Sequence, residues 1–147
     1  MEFFVKKYQE LTTTELYEIL QIRTKIFVVE QDCVYQDIDG KDEKALHVFG
    51  IKNNKIVAYT RVFKKGDYYK EGASLGRVLV VASERTHGYG HQLLQLSIQV
   101  IQQEFNTQKI VISAQKYLLA FYESHGFIKQ GYEYLEDGIP HFEMVKN

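Results

Sequence analysis

The stretch from Gly76 to Gln103, GRVLVVASERTHGYGHQLLQLSIQVIQQ, passes from strand through a tight loop into helix, and its reading decides the fold. Val78, Leu79, Val80 and Val81 form a short run of the kind that suits a buried strand, ended by Ala82 and Ser83. From Leu94, the apolar residues Ile98, Ile101 and Phe105 recur at i+4, i+7 and i+11, which keeps them on one face of a helix. Between the two lies Arg85-Thr86-His87-Gly88-Tyr89-Gly90, an R-x-x-G-x-G hexamer. Gly88 and Gly90 permit positive φ and a close approach of backbone to ligand. The free N–H donors of a helix start, its dipole and the charge of Arg85 together suit a phosphate or pyrophosphate. Taken alone, the hexamer reads equally well as a plain strand-to-helix turn, so the rest of the chain must decide.

Downstream, Lys109 to Ser113 (KIVIS) is a second buried-strand candidate, and a strand–helix–strand unit of this length implies a parallel pair with a right-handed crossover. Tyr117 to His125 reads as a short helix with Gly126 as its left-handed cap. Phe127 then leads into a strand from Ile128 to Leu135, a turn at Glu136-Asp137-Gly138, and a last strand from His141 to Lys146 beyond Pro140. Upstream, Leu46 to Lys52 and Ile56 to Phe63 flank Asn53-Asn54-Lys55 as a β-hairpin, and Lys64 to Ala73 forms a long loop. A first strand spans Glu2 to Tyr8. Thr12 and Glu15 have the spacing of a capping box, which predicts a helix from about Thr13 to Val28 with Leu16, Ile19, Leu20, Ile26 and Phe27 on one face. The predicted order is βα, ββ, βαβα, ββ.

The acidic run Asp37 to Glu43 raises calcium. An EF-hand counted from Asp37 would have Lys41 within the loop and Val48 at the twelfth position, so the motif fails and the run reads as a solvated loop. Arg23 and Arg77 read as internal ion-pair partners for Glu30 or Asp39.

The 147 residues suffice for one core, and 45% hydrophobic with 25% charged residues is ordinary for a water-soluble globular protein. A formal net charge of −1 gives no general attraction to nucleic acid or to an anionic membrane, so phosphate recognition must be local and the ligand small. The N-terminus MEFFVKKYQE lacks the pattern of a signal peptide and there is no run of about 18 apolar residues, which together predict a cytoplasmic protein. Cys33 is the only cysteine, so no internal disulfide or paired-cysteine metal motif exists; it reads as an apolar filler, and no metal is expected.

The hexamer after a strand, the second strand, and Ala120-Phe121-Tyr122-Glu123-Ser124-His125-Gly126-Phe127 together resemble the GNAT superfamily of acyl-CoA-dependent N-acyltransferases. A closer resemblance is to its ElaA-like branch. It is carried by Arg23, Phe27-Val28-Val29-Glu30-Gln31, Cys33-Val34-Tyr35, Asp39, His47, Gly76-Arg77-Val78, Ala114-Gln115 and Glu136-Asp137-Gly138-Ile139-Pro140-His141. The resemblance implies an α+β fold formed by one domain over residues 1–147. Its central mixed, mostly antiparallel sheet would have six to seven strands, about four helices and a splayed parallel pair in the middle.

It also implies acetyl-CoA as co-substrate, with the pantetheine arm beside Val78, Leu79 and Val80. The pyrophosphate would rest on backbone N–H groups of Arg85, Thr86, His87, Gly88, Tyr89, Gly90 and His91, with Gln115 and Tyr122 as further contacts. Gln115 stands where many members have asparagine, and Thr86 where many have glycine.

The implied reaction is attack of a neutral primary amine, from a small molecule or peptide, on the acetyl thioester. An amine with a pKa near that of lysine, about 10, must first lose a proton. The oxyanion needs donors, for which the backbone N–H groups of Leu79 or Val80 are candidates. The thiolate needs a proton, for which the resemblance points to Tyr122. For the base, Glu30, His47 and His141 stand level, with Glu71 and Glu84 able to relay through water. The acceptor pocket is expected from Glu30 to Glu43, Lys64 to Gly72 and Leu135 to His141. A homodimer is compatible with all of this. A non-catalytic acyl-CoA-binding or sensor module is the alternative, whereas a P-loop or first-strand dinucleotide fingerprint is absent.

Overall fold

A computed structural model describes residues 1–147. Seven strands form two antiparallel sheets, the first in the order β1 (Glu2–Lys7), β2 (Leu46–Lys52), β3 (Lys55–Phe63) and β4 (Ser74–Val80). The second has β7 (Ile139–Lys146) between β5 (Ile110–Gln115) and β6 (Ile128–Glu136). The expected parallel pair is much reduced. β4 and β5 meet at a single parallel bridge, Ala73 with Ile110, where Ala73 N donates to Lys109 O at 3.0 Å and Val111 N to Ala73 O at 2.8 Å. From that point they splay apart. Gly72 permits the contact, because a Cβ there would lie 2.9 Å from the Lys109 carbonyl oxygen.

The predicted turns are present. Asn53 and Asn54 both take positive φ in a two-residue loop between β2 and β3, as do Asp137 and Gly138 between β6 and β7, the conformation that matches strand twist in tight hairpins. β7 begins earlier than predicted and includes Pro140. The first β5 partner on β7 is His141, opposite Gln115, so the missing proline N–H costs no bond to β5.

Helix α1 (Thr13–Arg23) starts on the predicted capping box: Thr12 Oγ1 accepts from Glu15 N at 3.0 Å and Glu15 Oε1 from Thr12 N at 2.9 Å. It does not continue as α-helix to Val28. Thr24–Glu30 is wound as a π-helix, seen in the i→i−5 bonds of Gln31 N to Ile26 O and Cys33 N to Val28 O. Helix α2 (Tyr89–Glu104) follows a 3₁₀ turn at Ala82–His87, with Gly88 at its N-cap at φ 73°. Helix α3 (Leu119–Glu123) is shorter than predicted, since Lys116–Leu118 is 3₁₀; Gly126 takes φ 91° beyond it.

The two main helices cover opposite faces of the first sheet. Because successive strand residues point to opposite faces, Val48 and Ala58 pack with Leu93, Leu94 and Ile101 of α2, whereas their neighbours Phe49 and Tyr59 pack with Ile19 of α1 and with Ile26 and Phe27. Tyr122 and Phe127 join the α2 core and so tie the second sheet to the first. No helix is long and apolar enough to cross a membrane.

Candidate active site

The splay opens two adjoining cavities. One, of ≈ 370 Å³, runs from β4 to the start of α2 and is lined by Ile26, Glu30, Val80, Arg85, Gly90 and Phe121 among others. The other, of ≈ 120 Å³, lies between the sheets and includes Tyr69, Gly76, Ser113, Tyr122, Glu136 and His141. Phe27, Gln31, Val78, Tyr117 and Leu118 line both, so the cavities share a wall. The π-turn serves both: Ile26, Phe27, Glu30 and Gln31 recur at a spacing of four and present one face.

β4 is bulged where the cavities meet. Arg77 takes φ 53°, and the register against β3 shifts between Tyr59 and Arg61. Beyond the bulge, Val81 N donates to Val57 O at 2.9 Å, so by strand alternation the Leu79 peptide also faces β3 and the N–H and C=O of Val80 face the cleft. Of the two oxyanion donors named from sequence, Val80 therefore lies on the open side and Leu79 is committed to the β3 ladder. At the head of the cleft α2 has no side-chain cap, and Gln92 N→Gly88 O at 3.3 Å is the first helical bond, which leaves the N–H groups of the first turn pointing outward.

Arg85 does not wait free for an anion. Its Nε donates to Val80 O at 2.8 Å and one Nη to Glu30 Oε2 at 2.6 Å, so guanidinium and carboxylate form a clasp across the cleft. The side chains of Thr86, His87 and Tyr89 lie outside this cleft; Tyr89 packs on His87 and beneath Lys52. His91 lines it, packed on Phe121 and 2.8 Å from His125. Gln115 lines the smaller cavity instead, its carboxamide paired head to head with Gln31 at 3.3 Å in both directions.

The candidate bases part company. His47 is fully buried, lines neither cavity and has both nitrogens engaged. Nε2 lies 2.9 Å from the Asp42 carbonyl, which only accepts, so Nε2 carries the proton and Nδ1 accepts from Tyr59 Oη at 2.8 Å. Burial lowers its pKa, which fits a neutral structural link and removes it from the candidate bases. Glu30 belongs to the larger cleft. His141 lines the smaller cavity and is 6% exposed, with Nδ1 donating to Ile139 O at 2.7 Å and Nε2 3.4 Å from Glu136 Oε2. Tyr122 lines the same cavity edge-on to Phe121 and Phe127; burial raises its pKa, so the phenol holds its proton throughout the neutral range.

The acidic run is not a solvated loop. Arg23, which is fully buried, pairs with Asp37 at 2.9 Å and Asp42 at 2.7 Å. Arg61 pairs with Asp39 at 2.6 Å and Asp42 at 3.0 Å. Arg77 Nε lies 2.7 Å from Asp37 Oδ1 but off the N–H direction, a charge contact rather than a hydrogen bond, and Arg77 also reaches Asp39 at 3.6 Å. Burial opposes the charge on Asp39 and Asp42, but hydrogen bonds and charge from Arg61, and for Asp42 also from Arg23, hold both below the usual carboxylate range. Arg77 thus has Asp39 as expected, while Arg23 takes Asp37 and Asp42 rather than Glu30. Cys33 is buried and its thiol donates to Asp137 O at 3.3 Å.

Sequence reasoning left out Ser113 and Tyr134, and held Glu136 only as part of the expected acceptor segment Leu135 to His141, without a role of its own. Ser113 Oγ lies 3.2 Å from Glu136 Oε1 and is bonded to Tyr134 Oη. The signal available for Glu136 was its place beside the Asp137-Gly138 turn within a motif already singled out.

A bulged strand that diverges from its parallel neighbour, with an uncapped helix start at the head of the cleft, agrees with the family relationship. Residues 10–147 match the profile of the acetyltransferase (GNAT) domain, and the chain belongs to that family. Within it the chain is similar to the protein ElaA of Escherichia coli, 40% identical over 95% of this chain and 92% of that one. A Schizosaccharomyces pombe protein is 41% identical over 98% of this chain and 95% of its own length. The crystal structure of E. coli ElaA superposes with a TM-score of 0.92 at 38% identity, and that of an acyl-CoA N-acyltransferase from Pseudomonas aeruginosa with 0.93 at 35% identity, each covering 99% of both chains.

Proposed function

We propose that this protein transfers an acetyl group from acetyl-CoA to a primary amine, both bound at once. The observation that carries the reading is the pair of joined cavities. One is shaped for an extended arm and an anion, the other is a pocket holding protonatable groups, and Val78 of the bulged strand lies in the wall between them.

The residues fit such a co-substrate. The free N–H groups at the start of α2, from Tyr89 through His91, suit its pyrophosphate, and the edge of β4 at Val78 and Val80, unpaired with another strand and with only the Val80 carbonyl taken by Arg85, suits the amides of its pantetheine arm. Bound acetyl-CoA supplies an acetyl group activated as a thioester. Val80 N–H, on the open side of β4, offers a hydrogen bond to a developing oxyanion. His141 is the base in this reading: with Nδ1–H held by Ile139 O, its neutral ring turns the lone pair of Nε2 toward the acceptor cavity, where it takes a proton from the amine. Tyr122 Oη supplies a proton to the departing thiolate.

The test is incubation with acetyl-CoA and a panel of primary amines while thiol release is followed. Amine-dependent release supports transfer. Binding of acetyl-CoA with no release for any amine overturns it in favour of a non-catalytic acyl-CoA-binding module.

A further inference from the structure

Glu136 ends β6 at the mouth of the smaller cavity, its side chain 48% exposed. Oε1 accepts from Ser113 Oγ at 3.2 Å, while Oε2 faces His141 Nε2 at 3.4 Å. Nδ1–H is spent on the Ile139 carbonyl, so in its neutral form the ring has only the lone pair of Nε2 to offer beside that carboxylate. In that form carboxylate and ring are both acceptors, and a donor with more than one N–H can bond to the two at once. An alkylammonium ion carries three.

The remaining charge in the walls points the same way. Arg61 and Arg77 are matched by Asp37, Asp39 and Asp42, which also match Arg23. Asp137, next to Glu136 in the turn, has no ion-pair partner, so the charge left uncompensated at this end is negative. The flanking surface is aromatic: Tyr69 lies 5.0 Å from Tyr68, and Tyr134 is stacked on His141 at 6.0 Å. Such rings attract cations and pack against alkyl chain. Lys41 already places its ammonium 4.3 Å from the centre of the Tyr68 ring.

We propose that Glu136 is the specificity-determining residue of the acceptor site, taking a primary alkylamine as an ammonium ion that bonds from the cavity to both its carboxylate and His141 Nε2. The acceptors selected are cationic alkylamines and diamines, and acceptors with a carboxylate beside the amine are disfavoured by Glu136 and Asp137. The inference rests on the reading of this cavity as the acceptor site. It adds a sequence of events: the nitrogen arrives charged, one N–H donates to Oε2 and another to Nε2, and the latter proton passes to Nε2 to leave a neutral amine.

The experiment compares wild type, Glu136→Gln and Glu136→Asp with butylamine, which is cationic at pH 7.5, and hydroxylamine, which is largely uncharged there. The ratio of kcat/KM for butylamine over hydroxylamine should fall by about tenfold in E136Q, the lower end expected for a hydrogen bond to a charged group, and recover in E136D. In parallel, butylammonium is titrated into each protein without acetyl-CoA while the His141 imidazole is followed by NMR. A saturable shift in wild type that needs about tenfold more ligand in E136Q supports the site. An unchanged ratio, or equal binding by E136Q, overturns it. If thiol is released and the ratio does not move, acetyl transfer stands and this inference fails; if no amine releases thiol yet butylammonium binding depends on Glu136, the cation site stands and transfer fails.

Discussion

Tyr122 and His141 both line the smaller cavity, and His141 Nδ1 donates to the Ile139 carbonyl, which directs Nε2 away from that bond. Tyr122→Phe keeps the edge-on packing against Phe121 and Phe127 and removes one hydroxyl. Measured at saturating acetyl-CoA, its kcat should drop by roughly 10²-fold or more with KM for the amine little altered, as expected for loss of a general acid. Glu30 offers a prediction of the opposite sign. Its pair with Arg85 is exposed, worth up to about 1 kcal/mol, and holds the guanidinium on Val80 O. Glu30→Gln frees that arginine, and the Kd for acetyl-CoA measured by calorimetry should fall by up to about fivefold at low salt, where a Glu30 that itself assisted binding would raise it. These roles were unequally legible. The phosphate-suited backbone at Gly88 and Gly90 follows from residue type alone, but the clasp joins residues 55 apart in the chain, and no local pattern announces a pair of that kind.

At the scale of elements, the splay depends on one close contact and one buried charge network. Gly72→Ala places a Cβ 2.9 Å from Lys109 O at the β4–β5 bridge. Denaturant unfolding should show a loss of about 1–3 kcal/mol, the usual cost of overpacking. The acidic loop from Asp37 to Asp42 is held by arginines from α1, β3 and β4, and Asp42 Oδ1 receives two of them. Asp42→Asn leaves buried guanidinium charge short of its partner and should cost roughly 3–5 kcal/mol in the same assay. Here the sequence misled in a way that can be explained. A run of aspartates reads as solvated because isolated carboxylates avoid burial, and only the fold brings Arg23, Arg61 and Arg77 to meet it. The end of α1 differs for a related reason: a π-turn keeps helical composition while shifting its period, so Ile26 and Phe27 read as the continuation of one α-helical face to Val28 rather than as different winding.

Across the whole molecule, acid acts in one direction. His47 is buried neutral with a lowered pKa, so below the ordinary histidine value of about 6.5 the unfolded chain binds a proton that the folded one refuses, and stability falls as pH falls. His125 adds to that window, its pKa lowered by burial and by His91 and Lys146. Asp39 and Asp42, held below the carboxylate range, contribute stability that is complete above about pH 4 and lost as pH drops further. Stability measured from pH 7.5 to 5 should therefore decline, and the slope should be shallower in His47→Gln. The order of elements, both tight hairpins and the strand–loop–helix unit were readable because turn residues and hydrophobic period are local properties. The division into two sheets was not, because it turns on Ala73 and Ile110 touching once and then parting. That parting is what the proposed chemistry depends on. The most direct measurement is to supply acetyl-CoA carrying an isotopically labelled acetyl group together with butylamine and quantify labelled N-acetylbutylamine and free CoA by mass spectrometry. The account predicts enzyme-dependent formation of one labelled amide for each CoA released, and acetyl-CoA binding in the β4–β5 cleft with no labelled amide would contradict it.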